Sequence, residues 1–298
     1  MIKRREFLIN TGLALGALAI APTFAFESKK RAIGIQLWTL RDTLPKDVKG
    51  VLSQVGKAGF CEVETFGYSA DKGFFGTSVR DFKMILDDND LKATSNHFDF
   101  NSMIKDGSTD LVQNYIETAN ILGSEYVTVP YIVSELRGTT GDAYKKLAVQ
   151  INKVGELCKA GGLKLAYHNH DFEFTKFGST NGYEILLNET DKNLVDFELD
   201  LYWVVRSGND PLQLFKKYPG RFTMWHVKDM DKGNPDWNAE IGTGTIDFKS
   251  IFAEAKLSGM KRFFLEHESN YPFFYNLFFN LLRNIKTGYI KVFIYFQF

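Results

Sequence analysis

Eight times along the chain, a short run rich in β-branched and aromatic residues gives way to a longer segment whose apolar positions recur at helical spacing. The strand candidates are Ile33 to Trp38, Cys61 to Phe66, Lys92 to Phe98, Glu125 to Tyr131, Lys164 to His170, Leu194 to Asp200, Phe222 to Lys228 and Arg262 to Glu268. Helical segments between them include Asp47 to Ala58, Val79 to Asp88, Thr109 to Leu122, Ala143 to Ala160, Pro211 to Tyr218 and Phe248 to Leu257. Gly59, Gly123, Gly161 and Gly259 stand where such helices end. No glycine-rich dinucleotide fingerprint follows any of the strands, and no linker or shift in composition divides the chain. Eight βα units therefore predict an α/β fold of one domain, a closed (β/α)8 TIM barrel over residues 30–298.

The first 25 residues read differently. A basic start at Lys3, Arg4 and Arg5 precedes an apolar run from Phe7 to about Ile20, with small residues leading to Ala25. This is the layout of an export signal, and the paired arginines before Glu6, Phe7 and Leu8 match its twin-arginine type, which carries folded proteins to the periplasm. The run is interrupted by Asn10 and Thr11 and is short for a membrane span, so no lasting membrane insertion is expected. The chain has 36 basic and 36 acidic side chains, and that balance gives no general attraction to nucleic acid. Cys61 and Cys158, the only cysteines, fall in an expected strand and an expected helix and read as buried free thiols.

In a barrel of this kind the chemistry sits at the C-terminal strand ends. Those ends carry His97 on the third strand, His168, Asn169 and His170 on the fifth, Glu198 and Asp200 on the sixth, His226 and Lys228 on the seventh, and Glu266 and Glu268 on the eighth. Glu64 ends the second, and Trp38 with Arg41 the first. Alternation along a strand puts residues two apart on one face, so imidazoles and carboxylates from neighbouring strands can converge on one divalent ion. Taken singly, a strand histidine is more often a satisfied core residue, and a strand-end carboxylate more often a helix cap. Their joint occurrence on four successive strands is what points to a site.

The runs "YHNHDFEF", "FELDLYWV", "WHVKDM" and "FLEHE", with "GIQLWTLRD" at the first strand and "NAEIGTGTIDF" before the last unit, resemble in order and spacing the sugar phosphate isomerase/epimerase group of xylose-isomerase-like TIM barrels. The resemblance covers essentially the whole chain after the signal. It implies one divalent metal ion (Mn, Mg, Co or Zn) held by a carboxylate from strand five, an aspartate from strand six, a histidine from strand seven and a glutamate from strand eight. Asp200, His226 and Glu266 match that pattern, whereas His168 stands where the family's strand-five glutamate is expected. Glu173, in the following loop, is taken as the fourth ligand, with His168 as substitute ligand or base.

The implied reaction is removal of a proton beside a carbonyl of a non-phosphorylated sugar or keto sugar, through a metal-stabilised enediolate. His168, His170, Glu266 and Lys228 are the candidate catalytic groups, and Trp38, Arg41, His97, Tyr167 and Trp203 the candidate substrate contacts, with Tyr131 and Trp237 as further stacking surfaces. Isomerisation or epimerisation is the first expectation and elimination from a 3-keto-glycoside the second. A non-catalytic periplasmic sugar-binding protein is the remaining class, and an apurinic endonuclease is disfavoured by Trp203 where a further histidine ligand belongs. The phenylalanine-rich end, from Tyr271 onward, is expected to form an eighth helix to about Gly288 and then an apolar contact surface suited to a homo-oligomer.

Overall fold

The computed structural model describes residues 33–269. The expected signal, the eighth helix and the C-terminal contact surface lie outside those residues. Eight parallel strands close into a barrel in sequence order: β1 Gly34–Gln36, β2 Glu62–Thr65, β3 Lys92–His97, β4 Tyr126–Val129, β5 Lys164–His168, β6 Val195–Asp200, β7 Met224–Val227 and β8 Arg262–Leu265. β1 pairs with both β2 and β8, which completes the ring. Closure leaves the barrel without an edge strand.

The covering helices are α1 Val48–Ala58, α2 Val79–Asp87, α3 Val112–Leu122, α4 Gly141–Ala160, α5 Gly182–Glu189, α6 Pro211–Lys217 and α7 Phe248–Ala253. Short polar side chains start them. Asp47, Ser78, Thr140, Asn181, Asp210 and Asp247 each accept from a backbone N–H in the first turn, which satisfies one of the donors a helix start leaves unpaired. Gly59, Gly123 and Gly259 take left-handed conformations at helix ends, as their positions predict. No helix of the described residues is long and apolar enough to cross a membrane. Cys61 and Cys158 are both free.

The barrel interior is built in layers. At the N-terminal end Arg262 bridges Glu62 and Glu125, Lys164 lies 2.9 Å from Glu125, and the Tyr126 hydroxyl donates to Asp196. Above this lies an apolar layer of Tyr126, Ala166, Met224 and Phe264, all fully buried. Gly34 sits against it: a Cβ there would lie 2.4 Å from Cδ1 of Phe264. The next layer, toward the C-terminal end, is polar and holds the strand-end residues.

Several strands stop sooner than their sequence runs. After Gln36 the chain turns into a short 3-10 helix, Leu37–Leu40, because the Trp38 N–H donates to the Gln36 side chain 2.9 Å away. Trp38 is thus carried out of the sheet to the rim. β5 likewise ends at His168, and Asn169 and His170 already belong to the loop.

Candidate functional site

Register around the closed ring decides which strand-end groups meet. Asp200 pairs with His226 across β6 and β7, and His168 pairs with Glu198 across β5 and β6. Four donor atoms, from His168, Asp200, His226 and Glu266, fall within 4.8 Å of one another. His168 Nε2 is 3.3 Å and His226 Nδ1 is 3.7 Å from Asp200 Oδ2, and His226 Nδ1 is 2.9 Å from Glu266 Oε2. Despite that approach, neither His226 Nδ1 nor Glu266 Oε2 completes an aligned hydrogen bond, and both are buried.

The hydrogen-bond partners fix which atom each histidine turns inward. His168 Nδ1 lies 2.9 Å from the Pro130 carbonyl, an acceptor only, so Nδ1–H donates and Nε2 offers a lone pair to the cluster. His226 Nε2 lies 2.6 Å from Glu64 Oε2, which turns Nδ1 inward in the same way. Asp200 divides its oxygens: Oδ1 accepts from the Trp203 N–H and caps the short helix Leu201–Arg206, while Oδ2 faces the cluster. The helix cap thus occupies one oxygen and leaves the other facing the cluster.

Two nitrogens and two oxygens so converge, three of their separations falling at 2.9, 3.3 and 3.7 Å and all within 4.8 Å. These are the edge lengths of a coordination polyhedron whose bonds are near 2.1 Å, and the donor set suits zinc or manganese. The residues fit a divalent ion. The Lys228 ammonium reaches the same oxygens from the side, 2.8 Å from Asp200 Oδ2 and 3.0 Å from Glu266 Oε2, and donates to Glu268 at 2.9 Å.

Electrostatics follow from this crowding. Burial works against ionisation of Asp200 and Glu266, but the Lys228 ammonium holds both carboxyls well below their ordinary range. Burial would neutralise Lys228, yet Asp200 and Glu266 keep it charged. His170 behaves differently: burial, with His168 and Lys228 nearby, pushes its pKa well below the usual value, so its imidazole is neutral.

A cavity of about 610 Å3 opens over the cluster. Trp38, Phe66, Phe98, Tyr131, Phe172 and Trp203 form its apolar walls, and His97, His168, His170, Glu266 and Glu268 bring polar atoms to it. Arg137, which the sequence reading did not single out, joins the wall. Its guanidinium lies 3.9 Å from the Phe172 ring centroid and donates to the Tyr131 hydroxyl at 2.6 Å. No periodicity marks such a loop residue.

Of the residues read from sequence, His97, His168, His170, Trp38, Tyr131, Trp203 and Glu266 reach this cavity. Asp200, His226 and Lys228 are fully buried and do not line it, and Tyr167, Arg41, Trp237 and Glu173 lie elsewhere. Tyr167 points to the opposite side of β5 from His168, is buried against Phe197, and donates to Glu173 at 2.8 Å. Arg41 braces the loops after β1 and β8 by donating to the carbonyls of Trp38 and Glu268. Trp237 is half exposed on the hairpin that pairs Asp229–Met230 with Asn238–Ala239. Glu173, expected as the fourth ligand, is held apart from the cluster: Oε1 accepts from Tyr167 Oη and Oε2 from the His170 N–H at 2.9 Å. A three-residue helix, Phe172–Phe174, turns its carboxyl into the layer behind β5, and His168 occupies the fourth position.

A second group that sequence reading left without a role is Asp229. Its carboxylate accepts from the N–H groups of Met230, Gly242, Gly244 and Ile246, and so folds the "IGTGTI" loop around itself. A Cβ at Gly244 would lie 2.3 Å from Asp229 Oδ1, which explains the glycine.

Comparison with known proteins agrees with this architecture. Residues 52–281 match the family model of the xylose isomerase-like TIM barrel. Inosose dehydratase of Clostridium perfringens is 40% identical over 130 residues, a stretch covering 37% of this chain and 42% of that protein. The chain thus spans about two fifths of the length of the curated relatives it matches. A sugar phosphate isomerase/epimerase from Parabacteroides distasonis superposes with a TM-score of 0.73 at 26% identity, covering 89% of this chain and 96% of the other. The IolI protein, solved with a bound zinc atom, shares the fold at TM-score 0.69 and 17% identity, covering 90% of this chain and 99% of that one. With the model matching most of its 298 residues, the chain belongs to the xylose isomerase-like TIM barrel family.

Proposed function

We propose that the protein is a metal-dependent enzyme that removes a proton beside the carbonyl of a non-phosphorylated sugar or keto sugar, as a sugar isomerase/epimerase or lyase. The observation that carries the reading is the convergence of four inward-facing acceptor atoms, from His168, Asp200, His226 and Glu266, the first and last of which line an aromatic-walled cavity. A divalent ion held there would polarise the substrate carbonyl and stabilise the enediolate.

The chain's own residues supply the rest. The neutral His170 imidazole lines the cavity, and one of its ring nitrogens keeps a lone pair with which to accept a proton. Lys228 places a buried ammonium where negative charge develops, between Asp200, Glu266 and Glu268. Trp38, Phe98 and Trp203 form walls against which the apolar face of a sugar ring packs.

One feature favours proton removal and return on a single face, as in isomerisation or in elimination at a 3-keto sugar, over two-carboxylate epimerisation. Glu173, the carboxylate nearest in sequence to the strand-five position, is committed to Tyr167 and the His170 backbone, so Glu266 has no glutamate opposite it on β5. The similarity to inosose dehydratase supports elimination as the second reading. The basic and apolar N-terminus further supports action after export to the periplasm, on a substrate that carries no phosphate.

The test is metal analysis of the purified protein, followed by proton NMR in heavy water with keto sugars and 3-keto-glycosides. Deuterium uptake without bond cleavage assigns isomerisation, loss of the C1 group or of water assigns a lyase, and sugar binding with neither sinks the enzyme reading.

A further inference from the structure

Beside the four-atom cluster lies a second group of titratable side chains without a role in the proposed reaction: Glu64, His97 and Glu198, which meet His226 from its other edge. Glu64 and Glu198 are fully buried. Like the first cluster, this one brings four ligand-type atoms within 4.8 Å, but its hydrogens are placed differently.

Gln36 fixes the pattern. Its Oε1 accepts from the Trp38 N–H at 2.9 Å, so its Nε2 must be the atom that points inward. That amide donates to Glu64 Oε2 at 2.6 Å and to His97 Nδ1 at 3.2 Å. His97 Nδ1 is therefore an acceptor, and its Nε2–H donates to Glu198 Oε2 at 2.9 Å, with Glu64 Oε2 3.0 Å away. His226 Nε2 completes the set at 2.6 Å from Glu64 Oε2. Two N–H donors, from Gln36 and His226, thus meet on one carboxylate oxygen, with the His97 N–H 3.0 Å away. In the first cluster lone pairs converge instead. The contrast assigns the first group to a cation and the second to a scaffold around a carboxylate.

We infer that Glu64, held in place by Gln36 and His97, is the positioning residue of the metal centre: it takes the Nε2 proton of His226 in a hydrogen bond and so aims the Nδ1 lone pair at the ion. Its charge also makes the imidazole a stronger donor, since a carboxylate on the far nitrogen raises ligand basicity. Glu198 acts one step further out. It anchors His97 and approaches His226 only at 3.4 Å. The affinity consequence rests on the metal reading, but the position of the proton on His226 stands independently of it.

Nitrogen-15 NMR of histidine-labelled protein, metal-free and zinc-loaded, reads that proton directly, and zinc titration reads affinity. In the wild type, His226 Nε2 carries a proton in both states. Glu64→Gln keeps the shape and removes the charge, and is expected to weaken zinc binding 10- to 100-fold, with Glu198→Gln weakening it less and the melting temperature of the metal-free protein little changed. Should the variant not fold, the wild-type spectrum alone decides, because a bare Nε2 overturns the inference. It is equally overturned if Glu64→Gln binds zinc as the wild type does, or if the wild type binds two zinc ions and Glu64→Gln loses one. If the wild type binds no zinc, the functional reading fails while the proton position is still read.

Discussion

His168 and Glu173 lie five positions apart, and the difference in their roles is a matter of direction. His168 is the last residue of β5 and shares the inward face of Ala166, whereas Glu173 is turned outward by the short helix that follows. Replacing each histidine of the strand-five end separates two functions. His168→Ala is expected to lower metal affinity in a zinc titration, while His170→Ala keeps the metal and slows proton exchange by about 10^2-fold or more. Glu173 has a stability signature of its own. Burial raises its pKa to about 7 from the ordinary 4.5. The folded state therefore holds a proton that the unfolded chain releases, and stability falls as pH rises from about 4.5 to about 7, then levels off. Glu173→Gln is expected to flatten that fall, which amounts to about 3 kcal/mol, in denaturant titrations across this range. A slope equal to that of the wild type would show that Glu173 is ionised when folded.

At the scale of elements, helix starts were legible because they depend on local chemistry. The side chains of Asp47, Ser78 and Asp210 cap helices whose first turns follow directly. The helix Gly182–Glu189 gave less signal: it is short, and "GYEILLNE" carries few polar positions. The "IGTGTI" loop after β7 owes its shape to the Asp229 carboxylate with its four backbone donors, which no local pattern marks. Asp229→Ala leaves those buried donors without an acceptor and is expected to cost about 2–4 kcal/mol, with faster hydrogen exchange confined to residues 229–246. Exchange that rises evenly through the barrel would argue against a loop-specific role.

For the barrel as a whole, closure depends on the apolar layer beneath the site. Gly34 on β1 gives Phe264 its space, and Phe264 fills the interior with Tyr126, Ala166 and Met224. Gly34→Ala drives a methyl into that ring and toward the Phe263 carbonyl, and is expected to destabilise by about 1–3 kcal/mol, read as a lower denaturation midpoint. Metal addition acts in the opposite direction. Because the four proposed ligands come from four strands, the unfolded chain cannot hold the ion equally well, and zinc at 100 times its dissociation constant should add about 2.7 kcal/mol. A melting temperature unmoved by zinc or by a chelator would remove the metal centre.

The sequence by itself determined the repeat of strand and helix, and hence the barrel, because alternation, caps and terminal glycines are encoded within a few residues of where they act. It also determined that the histidines and carboxylates gather at the strand ends, the place of the proposed chemistry. Only the tertiary structure decided that His168 and not Glu173 joins Asp200, His226 and Glu266, and which nitrogen of each histidine faces inward. Those outcomes depend on the register of strands around a closed ring and on partners such as Pro130 and Glu64, 38 and 162 positions away. Local pattern cannot specify such distances, because closure brings together residues whose separation in sequence carries no period.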